Sequence, residues 1–175
     1  MAETTRSRLV SLGDFIKSQI KDSLEQQGHT IGPGGVQDDI DIKVLQETDG
    51  FRLQVWMRHY AQYLERGVSA GNIPYSGRSG RGGTSQYIEG LRKFAERRGM
   101  ENPLSAAFAI AATHKKEGMP SKGSFTHSKT GQRTGFLGVM EKENGKKIED
   151  MIFNIFGEQV ELQMDNMVKT NNTNQ

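Results

Sequence analysis

A switch of hydrophobic period at Asp39 constrains the fold of this chain most. From there apolar and polar residues alternate. Ile40, Ile42 and Val44 stand against Asp39, Asp41 and Lys43, and beyond Asp49-Gly50 the residues Phe51, Leu53 and Val55 stand against Arg52 and Gln54. A period of two with Asp-Gly at its centre predicts a β-hairpin. One face of such a hairpin meets water, so the other needs a cover. Helical spacing supplies it: Leu12, Phe15, Ile16, Ile20 and Leu24 follow Ser11 and Asp14, which are spaced like a capping box. They predict a helix over 12–27 that Gly28 closes. The expected class is therefore α+β, an antiparallel β-hairpin or small sheet packed against several helices.

Further along, Tyr60, Tyr63 and Leu64 resume helical spacing and stop at Gly67. Thr84 or Ser85 can cap a helix over 84–98 that carries Tyr87, Ile88, Leu91 and Phe94 and ends at Gly99. Asn102-Pro103 places a proline at the first position of a helix over 103–117. Its Leu104, Ala107, Phe108 and Ala111 form a face of small residues suited to close helix contact, and Gly118 with Pro120 stops it. A last helix over 139–156 has Ile148, Met151, Ile152, Ile155 and Phe156 on one face. Beyond it, Val160, Leu162 and Met164 alternate like a strand, whereas Val160, Met164, Met167 and Val168 also suit a helix. The strand is favoured. Residues 1–10 and 169–175 are expected to be flexible.

Glycine-rich stretches separate these elements. Gly32-Pro33-Gly34-Gly35 reads as a loop. Residues 66–83 hold six glycines and one proline with hardly an apolar anchor, and 119–135 form a second long polar loop. Neither stretch buries enough surface to offset its ordering entropy, so both are expected to be mobile in a free subunit and ordered by a neighbour. With 175 residues and 34% hydrophobic content, the chain fits one domain with one modest core.

The chemistry on offer is sparse. The chain has no cysteine, which removes disulfides, thiolate zinc sites and cysteine nucleophiles together. His29, His59, His114 and His127 are scattered without a ligand partner at three or four residues, and read as surface or turn residues. No Gly-Lys-Ser or Gly-Lys-Thr occurs, no Gly-x-Ser-x-Gly elbow is present, and Asp38-Asp39 and Glu149-Asp150 are sequence neighbours that point apart. No catalytic residue, cofactor or metal is expected, and so no enzyme. Neither a leader nor a run of ~18 apolar residues appears, which points to a cytosolic protein with no membrane contact.

Charge is unevenly divided. Residues 1–58 carry 7 basic and 9 acidic groups, 59–135 carry 12 and 5, and 136–175 carry 4 and 7. A basic middle can meet nucleic acid or the acidic ends of neighbouring copies. Within it, Arg78-Ser79-Gly80-Arg81-Gly82-Gly83 with Tyr75 nearby is the best candidate for following a phosphate backbone.

The segment Tyr60-Ala61-Gln62-Tyr63-Leu64-Glu65-Arg66-Gly67 resembles the motif of the small neck and tail-completion proteins of tailed bacteriophages. In that family a Tyr, an apolar residue, a Glu and a Gly close a strand-to-helix turn before a long loop. The glycine-rich insert, the helices, Gly135-Phe136-Leu137 and a C-terminal helix follow in the same order. Val68 stands where the family commonly has Thr, and Gly135 where it usually has Pro. The resemblance implies a non-catalytic virion protein, assembled in the host bacterial cytoplasm. It would form a homo-oligomeric ring at the head–tail junction, contact other neck, tail or connector proteins, and meet packaged DNA only non-specifically. Tyr60, Tyr63, Leu64, Phe136 and Leu137 would pack at a core or subunit edge, and Arg78, Arg81, Lys122, Lys129 and Arg133 would reach neighbours or the DNA channel. The alternative is a nucleic-acid-binding accessory protein that uses the Arg/Gly loop 75–83.

Overall fold

A computed structural model describes residues 5–29, 40–48, 50–77 and 85–173, with side chains as far as Gly157. Gly32–Gly35, Arg78 and Arg81 lie outside the described residues. The architecture is α+β, with one antiparallel two-stranded hairpin packed against several helices, as the period switch predicts. The chain gathers into two compact units, the first made of residues 1–61 and 136–175 and the second of residues 62–135.

In the first unit, α1 spans Thr5–Gln26, β1 Asp41–Glu47, β2 Gly50–Trp56 and α5 Phe136–Thr173. Helix α1 begins well before Ser11, and the stretch 5–10 expected to be flexible is helical. The cause is Leu9, which extends the apolar stripe one turn backwards and is buried with Leu12 against Ile155 of α5. At the other end the Gly28 amide donates to the Glu25 carbonyl (2.8 Å) and the His29 amide to that of Leu24 (3.0 Å), a Schellman closure.

Strands β1 and β2 pair from Asp41 opposite Trp56 to Glu47 opposite Gly50. Val44, Phe51 and Leu53 pack into the cluster around Leu9 and Leu12, while Asp41, Lys43, Leu45, Arg52 and Trp56 are exposed. Gly13 is what lets the hairpin come so close to α1. A β-carbon there would overlap the Ile42 side chain and stand 3.2 Å from Leu53 Cδ1.

Helix α5 continues unbroken through 158–168, where a strand was expected. Extending an existing helix adds one hydrogen bond per residue fixed, whereas a strand needs a partner, and β1 and β2 already pair with each other. Ile148, Met151 and Ile155 face α1. The expected companions Ile152 and Phe156 do not join them and are exposed. Near the start of α5, Phe136 is buried and its carbonyl accepts a hydrogen bond from Ser23 Oγ of α1 (2.8 Å).

The second unit carries most of α2 (Ala61–Arg66), all of α3 (Gln86–Arg97) and α4 (Pro103–Glu117), and two 3₁₀ segments, Ala70–Asn72 and Lys122–His127. Both expected caps are made. Ser85 Oγ accepts from the Ile88 amide (3.3 Å), and Asn102 Oδ1 from the Ser105 amide (3.2 Å) with Pro103 at the first turn. Fully buried Ala107 and Ala111 bring α4 close to Ile88 of α3, with Tyr75, Tyr87 and Leu91 packed around them. Leu104 and Phe108, expected on the same contact face, are exposed.

The two stretches expected to lack anchors have them in their described parts. Val68 and Met119 exchange backbone hydrogen bonds of 2.7 and 2.8 Å, and Ile73 is buried, with its carbonyl accepting from Lys115 Nζ (3.3 Å). Residues 119–135 bond mostly to themselves and to α2 and α4. Ser128 Oγ donates to the Gln132 carbonyl (2.5 Å), the Lys122 amide donates to Glu117 (2.8 Å), and the Gly135 amide donates to the Glu65 carbonyl (2.8 Å). Hydroxyls and backbone groups here supply local hydrogen bonds.

Candidate functional site

Helix α2 is the short turn on which the family resemblance rests. The Ala61 amide donates to the Arg58 carbonyl (2.9 Å) to open it, and the Gly67 amide donates to that of Tyr63 (2.8 Å) to close it. The chain leaves through Gly67 at φ +71° straight into the Val68–Met119 bridge. Tyr60 and Leu64 are half-buried, whereas Tyr63 is 46% exposed and is no core residue. Phe136 and Leu137 separate in the same way: Phe136 is 1% exposed, and Leu137 lies outward.

Among the described residues the basic candidates differ in exposure. Lys122 and Lys129 are exposed on the stretch after α4. Arg133 is half-buried, and its guanidinium is held below its usual range by burial and by the nearby charge of Arg98. It is therefore no freely reaching tip. Charge instead separates between the two units. The unit of residues 62–135 carries 12 basic and 5 acidic residues, and the remainder carries 11 and 16.

One polar pair escaped the sequence reading. Tyr87 Oη lies 2.7 Å from His114 Nδ1, joining α3 to α4, so His114 is not the surface or turn residue it was expected to be. With the phenol donating, the imidazole keeps its proton on Nε2. Burial pushes the Tyr87 phenol up to about 12 and holds His114 below its ordinary value, partly opposed by the Glu117 carboxylate. A depressed folded-state value means that the neutral imidazole is favoured by folding. The contribution is present above the unfolded value of about 6.5, and it is lost as pH falls through the folded one. Melting temperature should accordingly decline as pH falls through that window. His114→Gln should flatten that part of the profile, and an unchanged slope in the variant would remove the pair from the account.

Among the described residues no group of three or more His, Asp or Glu side chains could hold a metal ion, and no helix is long and apolar enough to cross a membrane. Comparison with protein-family models, with curated proteins and with solved structures finds no match.

Proposed function

We propose that this protein is a structural component of a tailed-phage particle, without catalytic turnover, that assembles into a ring at the neck or tail-completion position. The observation that carries the reading is the separation of charge: a basic unit inserted in an acidic one suits head-to-tail contact, basic unit of one copy to acidic unit of the next, which closes by rotation. The resemblance of residues 60–67 adds to it, because that segment forms a short helix after a strand and hands over to a long connection. Tyr63, Leu137, Lys122 and Lys129 are exposed and available to other virion proteins. Attraction between exposed charges is screened at high ionic strength, so assembly should weaken as salt rises. Mass spectrometry of purified virions tests the reading directly, and absence of the chain from particles would sink it.

The same basic unit favours the second reading, a nucleic-acid-binding accessory protein using residues 75–83. Mobility shift at ~0.15 M salt separates the two. Sub-micromolar binding that disappears with Arg78→Ala plus Arg81→Ala supports the accessory protein, and persistence of ring assembly without such binding supports the virion component.

A further inference from the structure

Helix α5 turns Ile148, Met151 and Ile155 toward α1. At about 100° per residue, Lys142, Lys146, Glu149, Phe153 and Phe156 come round to the side away from it. Phe153 is 75% exposed, the most exposed of the large apolar side chains described, and Ile152 and Phe156 beside it are also exposed. Among the described residues Lys142, Lys146, Glu149 and Asp150 are exposed and form no ion pair. The stripe thus runs from basic through acidic to aromatic.

Read in the reverse direction, that order is its own complement. With a two-fold axis between Lys147 and Ile148, Lys146 of one copy meets Glu149 of the second, and Glu149 meets Lys146. Lys142 then comes over the ring of Phe153, joining its alkyl stem to the ring face and its ammonium to the π-cloud. Val139 falls opposite Phe156. Parallel alignment would set Lys146 against Lys146 and Glu149 against Glu149, which like charges oppose. We infer that the outward stripe of α5 is where a second copy of this chain docks antiparallel, in an isologous contact from Val139 to Phe156 that is roughly 27 Å long. The contact is closed by its two-fold axis and does not depend on the ring proposed above.

Sedimentation of the full chain tests the pairing. The native protein should show a reversible dimer, and Phe153→Ser should weaken it ~30-fold or more, as for an aromatic that a partner covers. Melting of the dilute variant should match the native protein, because the ring lies outside the core. Lys146→Glu and Glu149→Lys should each weaken the dimer, and the two together should restore it. Because the chain has no native cysteine, cross-linking reads the register: oxidation of a mixture of Lys142→Cys chains and Phe153→Cys chains should join them, whereas Lys142→Cys chains alone, whose mates are offset by roughly 16 Å along the helix, should not cross-link. A native protein that stays monomeric, a dimer indifferent to Phe153→Ser, a double charge swap that fails to restore, or cross-linking of Lys142→Cys chains alone would each overturn the inference. None of these results bears on the head-to-tail ring, which is read by its salt dependence and by its presence in virions.

Discussion

Phe136→Ala is expected to lower the melting temperature by about 10 °C. The ring is 1% exposed, and truncating a buried aromatic costs about 3–5 kcal/mol through lost transfer energy and the cavity left behind. In a chain of this size each kcal/mol corresponds to a shift of about 2–4 °C. Its position sharpens the effect, because the Phe136 carbonyl accepts from buried Ser23 Oγ, and any shift of the backbone into the cavity strains that bond. Leu137→Ala is the internal control. That side chain is exposed, so its loss should move the transition by only a degree or two. Calorimetric scans of the two variants decide the matter, and equal shifts would place Phe136 outside the core.

The second large effect is expected from Gly118→Ala. Gly118 has φ +87° and ψ −175°, a region that is essentially glycine's alone. A β-carbon there would lie 2.7 Å from the Val68 carbonyl oxygen and 3.3 Å from the Ala70 nitrogen, both backbone atoms that cannot swing aside. Gly67 faces the same bridge from the other strand, with its β-carbon position 2.7 Å from the Met119 carbonyl oxygen. The methyl therefore forces open two hydrogen bonds as well as straining its own residue, and at least ~3 kcal/mol should be lost. Gly71→Ala and Gly123→Ala, where the added methyl meets nothing within 4 Å, should change stability by under ~0.5 kcal/mol. Urea midpoints of the three variants check this. A Gly118→Ala midpoint no lower than the other two would show that the bridge does not hold the two stretches together.

What could be read in advance was local. The hairpin declares itself because apolar residues alternate with polar ones at Ile40, Ile42 and Val44 and again at Phe51, Leu53 and Val55, and Ser85 and Asn102 declare their helices because a cap acts within three residues of itself. Ile73 could not be found this way: a single apolar residue among glycines has no period, and the side chain that bonds its carbonyl, Lys115, is far away in sequence. Residues 158–168 fit two periods, and the strand that was favoured lost to the helix already running into them. The site was less legible than the fold. Tyr60 and Tyr63 share a motif but differ in burial, because the motif says nothing of which side of α2 is covered. The Tyr87–His114 pair and the Arg133–Arg98 proximity each join residues that no short spacing links.

The order in which the polypeptide is made has a consequence for the first unit. Helix α1 and the hairpin are synthesised early, but Ile148, Met151 and Ile155, which complete their apolar cluster, belong to the last helix. Between them the ribosome must produce all of residues 62–135, which at ordinary elongation rates takes roughly 4–15 s. The inserted unit holds its own local core and can mature during that interval, and the bond from the Gly135 amide to the Glu65 carbonyl brings its two ends together. Leu9, Leu12 and Phe51 meanwhile wait with their partner absent. Nascent chains released before Ile155 is added should therefore be the species most prone to capture by chaperones, and release just after residue 157 should relieve it.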